Sequence, residues 1–96
     1  MGAASFMTKA SGATAKEAFL NATADARHEY GHGGYTGSIA EKHSFQMLTV
    51  PAGKSPTEFA KEIVWDDEHW VSDKSGPAGC IALGGAEYLF VGQARC

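Results

Sequence analysis

The chain has 96 residues, of which 44% are hydrophobic and 20% charged, with eight Lys and Arg against eleven Asp and Glu. This is the composition of one small globular domain, spanning residues 1–96, with a modest core. No stretch approaches the ~18 apolar residues of a transmembrane helix. A net acidic chain with only two Arg lacks the positive charge that phosphate contacts require, so we expect no nucleic-acid partner.

The cysteines and the N-terminal segment indicate the cellular setting. Neither Cys80 nor Cys96 belongs to a Cys-x-x-Cys pair, which excludes a zinc ribbon. Cys80 lies in an apolar run and is expected to be a buried small hydrophobe, whereas Cys96 is expected to be free. A disulfide between the two cysteines is an alternative that the sequence does not require. A reduced, cytoplasmic setting is the simplest expectation. Residues 1–6 lack the basic and apolar regions of a signal peptide, and we expect no membrane partner.

The first half of the chain predicts one strand and one helix. Residues 5–8 are a short candidate strand, followed by a turn at residues 11–13. Residues 14–17 form a capping box that starts a helix, which Gly31 ends near Tyr30. The inward face of this helix is predicted from its helical spacing, and consists of Ala15, Ala18, Phe19, Ala22, Ala26 and Tyr30.

The second half predicts a strand, a helix and a hairpin. Residues 43–50 are β-prone and are expected to form a central strand. A second capping box at residues 55–58 starts a helix that runs to about Val64. An irregular acidic loop, residues 65–77, precedes two strands at 78–83 and 87–94, and Gly84-Gly85 between them signals a two-residue hairpin. The order (β)αβαββ favours an α+β domain, a two-layer sandwich with both helices on one face of a three- or four-stranded sheet.

Residues 28–32 match H-E-x-x-H, the zincin signature, in which two histidines bind zinc and the glutamate acts as general base. The glycines that follow interrupt the helix that the motif needs, and Ser38 stands where the extended motif has a third histidine. We therefore interpret the match as coincidental and expect no cofactor. A zinc-dependent hydrolase with His28 and His32 as ligands and Glu29 as base is the alternative function.

Residues 31–37 form a loop with four glycines. It fails the dinucleotide pattern G-x-G-x-x-G, because Thr36 occupies the last position and the loop follows a helix. A loop that carries His32, Tyr35 and Thr36 suits recognition. Binding of a small molecule or an anion, here or at the start of the second helix, is a further alternative.

Three segments resemble those of a group of small uncharacterised proteins of bacteria and their phages. They are residues 30–42 (YGHGGYTGSIAEK), 76–81 (GPAGCI) and 88–92 (YLFVG). The resemblance implies that the glycine-rich loop matters more than the zincin match. It also implies a phage or mobile-element setting, in which small domains act by binding a host or viral protein.

The preferred hypothesis is a small non-enzymatic binding module that acts through protein–protein contacts. Large aromatic side chains on loops are typical interface anchors. The predicted binding residues are His32, Tyr35, Thr36, Trp65 and Trp70. The two tryptophans are either packed under the acidic loop or part of the interface. A homodimer is also predicted, through an apolar edge left by residues 88–91.

Overall fold

A computed structural model describes residues 2–30 and 36–96. It contains four strands, two helices and two short 3₁₀ helices. The strands are β1 (Ala3–Ser11), β2 (Phe45–Met47), β3 (Ala78–Gly84) and β4 (Glu87–Arg95), the helices are α1 (Ala15–Tyr30) and α2 (Pro56–Val64), and the 3₁₀ helices are Ile39–Glu41 and Trp70–Ser72. The α+β class, the order βαβαββ and the C-terminal hairpin are confirmed.

Both helices begin where the sequence predicts. The Thr14 hydroxyl accepts a 3.1 Å hydrogen bond from the Glu17 amide, and the Ser55 hydroxyl accepts one of 3.1 Å from the Glu58 amide. Each cap satisfies an amide that the first helical turn leaves without a partner. Pro56 follows the second cap at the first helical position, where its missing N–H costs nothing.

The four strands form one mixed sheet in the order β1-β4-β3-β2. β1 pairs with β4 antiparallel, β4 with β3 antiparallel, and β3 with β2 parallel. The expectation of a central strand at residues 43–50 is therefore wrong, because β2 has only three residues and lies at an edge. Its apolar successors Leu48 and Val50 pack against the buried cluster under α2 instead.

The hairpin turn lies one residue later than expected. β3 extends to Gly84, and Gly85 and Ala86 connect it to β4, with φ of 62° and 65°. Two consecutive positive φ angles are typical of the tight turns that match the twist of a hairpin. An irregularity in pairing between Ala82 and Gly84 accommodates the shift.

The two helices lie on opposite faces of the sheet. The rings of Phe90 on β4 and Phe19 on α1 pack with centroids 5.6 Å apart, whereas Leu89 and Val91 belong to the cluster that contains Ile63 of α2. The expected two-layer sandwich is therefore wrong, and the domain has three layers. The physical reason is that β3 and β4 each bury four consecutive residues, so both faces of the sheet need a cover.

One glycine is required where β1 meets β4. Gly92 lies opposite Phe6 in the ladder, and a Cβ added to it would come within 3.1 Å of the Phe6 ring. The absence of a side chain lets this ring lie directly on the backbone of β4, which helps to bury Phe6 to 8% exposure. The contact secures β1 to the rest of the sheet.

Candidate protein-binding edge

β1 is a long edge strand with one neighbour. Its nine residues pair with β4 from Ala3 opposite Arg95 to Ser11 opposite Glu87. Within residues 2–30 and 36–96, no strand lies on its outer side. The strand contains no proline and one charged side chain, Lys9, so it has little of the protection that edge strands usually carry. Alternate residues of β1 therefore direct their N–H and C=O groups outward.

A cleft of about 330 Å³ follows the outer edge of β1 on the side of α1. Residues 5–9 line it together with Ala22, Asp25, Ala26 and Glu29 of α1 and residues 37–39. Side chains of successive strand residues point to opposite faces, so five consecutive residues share only the edge of the strand. The cleft is therefore a groove between an open strand edge and a helix.

A second, shallower cleft lies on the α2 side of the same strand. Met7 of β1 and Trp65 at the end of α2 line it together with Lys61 and Val64. Met7 is 40% and Trp65 68% exposed, which makes them two of the four large hydrophobic side chains exposed in the described chain. An exposed tryptophan beside an open strand edge is typical of an interface anchor.

The two sides of the β1 edge carry opposite charge. On the α1 side, Asp25 and Glu29 lie one helical turn apart and are both exposed. On the α2 side, Lys61 lines the shallower cleft. Lys9 has the same strand parity as Met7 and therefore points toward this α2 side. A ligand that lies along the edge thus meets carboxylates on one face and ammonium groups on the other.

The structure separates the two tryptophans that the sequence left as alternatives. Trp65 is exposed, whereas Trp70 lies in a 3₁₀ helix, is half-buried and packs against the cluster under α2. The His69 ring lies 5.3 Å from the Trp70 ring, and its Nδ1 accepts a 3.1 Å hydrogen bond from the Val71 amide. Trp70 therefore has a packing role, and Trp65 is the one available for contact.

The glycine-rich loop is described only from Thr36 onward, and His32 and Tyr35 lie outside the described residues. The Thr36 amide and hydroxyl both donate to the Glu41 carboxylate, at 3.0 Å each. Its hydroxyl also lies 2.7 Å from that of Ser38, which caps the first 3₁₀ helix. The hydrogen-bonding groups of Thr36 therefore bind Glu41 and Ser38. Its neighbours Gly37 and Ser38 line the cleft on the α1 side of the sheet, whereas Trp65 lines the cleft on the α2 side.

The zincin-like segment is described in part. His28 and Glu29 are exposed on the last turn of α1, and His32 lies outside the described residues. Among residues 2–30 and 36–96, no three His, Cys, Asp or Glu side chains lie close enough to share a metal ion. The zinc hydrolase stays a prediction, which a metal measurement tests.

The start of α2 offers little free positive charge to an anion. Lys54, which precedes the cap, forms a salt bridge of 2.6 Å with Glu62 two turns along the helix. Its ammonium is therefore directed along α2 and away from the helix N-terminus.

A separate polar cleft of about 340 Å³ lies between the first 3₁₀ helix and the turn before β3, and its side chains include Glu41, His43 and Arg95.

A buried lysine lies close to that polar cleft, which the sequence did not indicate. Lys42 is 1% exposed, and its Nζ donates to the carbonyls of Asp73, Lys74 and Gly76 at 3.2, 3.4 and 2.8 Å. Burial lowers the pKa of Lys42, and the nearby Asp73 carboxylate partly opposes this. Its hydrogen-bond partners are backbone carbonyls, which every residue has, so no residue type in the sequence indicates this contact.

The cysteines agree with the sequence-based expectation. Cys80 is fully buried and Cys96 is exposed, and both are free thiols. Burial raises the pKa of the Cys80 thiol to about 11. A thiol with a raised pKa and no access to solvent is a poor nucleophile, so Cys80 acts as a core residue.

The expected dimer edge is not an edge. Residues 88–91 belong to β4, which lies between β1 and β3, and Leu89, Phe90 and Val91 are all buried. The prediction that this segment pairs with a second copy is therefore wrong, because both sides of the strand are already paired within the sheet. Among the strands formed by residues 2–30 and 36–96, β1 is the one that offers a long unpaired edge.

Comparison of the chain with protein-family models, with curated proteins and with solved structures finds no match. In the described part of the chain, neither helix has the length and apolar character needed to cross a membrane.

Proposed function

We propose that the chain is a small non-enzymatic protein-binding module that contacts its partner along the edge of β1. The observation that carries this proposal is a nine-residue edge strand with a groove on each face and an exposed tryptophan beside it. Unpaired strand edges and exposed aromatic side chains are both typical of surfaces that bind other proteins. Trp65 is the predicted binding residue that supports this location.

Under this proposal, the partner is a host or viral protein, in line with the resemblance of residues 30–42 to small bacterial and phage proteins. The sequence also predicts that His32 and Tyr35 contact the partner, and we keep this prediction as part of the proposal. The α1-side groove includes residues 37–39, which follow the glycine-rich loop in the chain. A partner that lies in this groove would therefore pass near the end of that loop.

Photo-crosslinking in cells of the natural source tests the location. The photoreactive residue p-benzoylphenylalanine replaces Met7 or Trp65 in two variants, and Leu20, which is 55% exposed on α1 and lines neither groove, in a matched control. We expect a discrete crosslinked protein from the first two variants and none from the control. Crosslinking at Leu20 alone, or at none of the three positions, contradicts the proposal.

A further inference from the structure

We propose that the partner contributes an extended segment that joins β1 as a fifth strand, with apolar side chains toward Met7 and Trp65 and Lys or Arg side chains toward Asp25 and Glu29. This inference depends on the proposed function and adds the mode of binding and the chemistry of the ligand. It follows from three properties of the β1 edge: its backbone, its two grooves and its charges.

The backbone of β1 provides the hydrogen bonds for an added strand. Its alternate residues direct N–H and C=O groups away from β4, and the α1-side groove runs along this same edge at residues 5–9. An added strand would lie about 4.8 Å from β1, within that groove. Strand addition beside a helix is an established way of binding extended peptides, with main-chain hydrogen bonds supplying affinity.

The two grooves provide selectivity for alternate side chains. An added strand points successive side chains to the two faces of the sheet. On the α1 side they meet a floor of two small residues, Ala22 and Ala26, with the carboxylates of Asp25 and Glu29 at the rim. This surface favours a long side chain that ends in a positive charge.

The α2 side of the same strand favours apolar side chains. Met7 and Trp65 present exposed apolar surface there, and the buried Val64 lines the same cleft. Covering these side chains removes apolar area from water, and the ammonium of Lys61 on the same side disfavours a basic side chain there. The complementary ligand is therefore a segment in which apolar and basic residues alternate.

The charges disfavour a second copy of this chain as the occupant. Antiparallel pairing of β1 with its own copy about a two-fold axis keeps both α1 helices on one face of the extended sheet. The α1 side of the seam would then be bordered by Asp25 and Glu29 from both copies, and the α2 side by Lys61 from both copies. Like charges across such a seam are destabilising, so a foreign basic segment fits better.

Peptide binding to the full chain tests the proposal. The probe is a capped peptide of alternating Val and Lys, about eight residues long to span most of β1. The controls are a peptide of alternating Val and Glu, and a block peptide in which all Val precede all Lys. Amide NMR shifts and hydrogen exchange report binding residue by residue. We expect the Val-Lys peptide alone to shift residues 3–11 and to protect alternate amides of β1.

Backbone methylation of the probe distinguishes strand addition from charge attraction. N-methyl groups on every amide of the peptide remove all donors that can reach β1 in either strand direction, and leave the side chains and charges unchanged. We expect this modification to abolish binding. Equal binding by the methylated and the unmodified peptide would overturn the strand-addition geometry.

Charge reversal in the protein tests the selectivity. The double substitution Asp25→Lys with Glu29→Lys changes two exposed side chains and is expected to shift the preference from the Val-Lys to the Val-Glu peptide by about tenfold. The matched control, Asp67→Lys with Glu68→Lys, changes the net charge equally on the exposed loop after α2 and should keep the original preference. An equal loss in both variants would overturn the proposed site.

The outcomes separate this inference from the proposed function. If neither peptide shifts β1 while crosslinks at Met7 and Trp65 persist, strand addition is wrong and the binding module stands. If the amides of β1 that point away from β4 are protected without peptide and the solution mass corresponds to a dimer, a second copy occupies the edge and the inference is overturned. If neither peptide shifts β1 and the crosslinks at Met7 and Trp65 are absent as well, both strand addition and the proposed binding function are wrong.

Discussion

The Nζ of Lys42 donates a 2.8 Å hydrogen bond to the backbone carbonyl of Gly76, 34 residues further along the chain. Together with the bonds to the carbonyls of Asp73 and Lys74, this hydrogen bond connects the end of the first 3₁₀ helix to the turn that leads into β3. A buried ammonium with several carbonyl acceptors is satisfied electrostatically, although its burial carries a cost. The contact fixes the position of the turn before β3.

Replacing Lys42 by Met should lower the free energy of unfolding by about 1–3 kcal/mol, because the three carbonyls lose their charged donor while the aliphatic stem is retained. Urea unfolding followed by circular dichroism measures the change. The control is Lys9→Met, which removes an exposed lysine from β1 and should change stability by less than about 0.5 kcal/mol. Equal stability of the Lys42→Met variant and the parent would show that the bonds contribute nothing net.

The lowered pKa of Lys42 makes this contribution dependent on pH. Burial holds the pKa in the folded state below the ordinary value of 10.5, which applies to the unfolded chain. Between these two values the folded protein has released the proton and the unfolded chain still holds it, so stability rises with pH. We expect the stability difference between the parent and Lys42→Met to grow as the pH rises toward 10.5. Cys80 is present in both proteins, so its own titration cancels; a constant difference from pH 7 upward contradicts the prediction.

The two tryptophans should respond differently to truncation. Trp70→Ala removes a half-buried ring from the cluster under α2 and should cost about 2 kcal/mol of stability, less than a fully buried ring. Trp65→Ala should change stability by less than about 0.5 kcal/mol, because the side chain is 68% exposed. Chemical denaturation measures both variants. Acrylamide should quench the fluorescence of the Trp70→Ala variant, which retains Trp65, more strongly than that of Trp65→Ala.

The hairpin turn contains a strained residue that can be relieved. Ala86 has φ of 65°, a conformation that costs a residue with a Cβ about 1–2 kcal/mol. Ala86→Gly should therefore raise the unfolding free energy by about 0.5–1 kcal/mol, after the greater freedom of glycine in the unfolded chain is subtracted. Thermal unfolding measures the gain. Ala52→Gly, in an exposed turn at a residue without positive φ, should be destabilising, and a gain there as well would refute the strain argument.

Metal removal tests the alternative function. A catalytic zinc site needs three protein ligands, and Ser38 stands where the extended motif places its third histidine. We expect untagged protein to hold much less than one equivalent of zinc, and its unfolding temperature to be unchanged by a chelator. One equivalent of zinc that is lost in His28→Ala would establish the metal site and reject the coincidental interpretation.

The local features of this fold could be predicted from the sequence, and the long-range ones could not. The caps at Thr14 and Ser55 are signalled by residues three positions apart, so the helix starts were correct. The strand order depends on pairings between distant segments, for which no comparable signal exists. The burial of four consecutive residues in β3 and β4 was visible as apolar runs, and it indicates that both faces are covered.

At the candidate site, too, the sequence predicts which residues are present and the long-range packing decides which of them are exposed. Trp65 and Trp70 stand five positions apart in one loop, and only the packing of the 3₁₀ helix against α2 decides which of them is exposed. β1 has two large apolar residues, Phe6 and Met7, and its edge position follows from β4 inserting between it and β3. Lys42 looks like an ordinary surface lysine in the sequence, because its partners are carbonyl groups.

In the described part of the chain β1 pairs with β4 alone, and this pairing has a consequence during translation. Residues 12–86 separate the two strands, so β1 leaves the ribosome several seconds before its sheet neighbour is synthesised, at about 5–20 residues per second. Throughout that interval the strand that pairs with β1 in the folded sheet is absent. A chaperone or a partner segment already present in the cell can therefore meet β1 before β4 does. If a partner segment joins β1 as proposed, the timing of synthesis, as well as affinity, influences which strand pairs with β1 first.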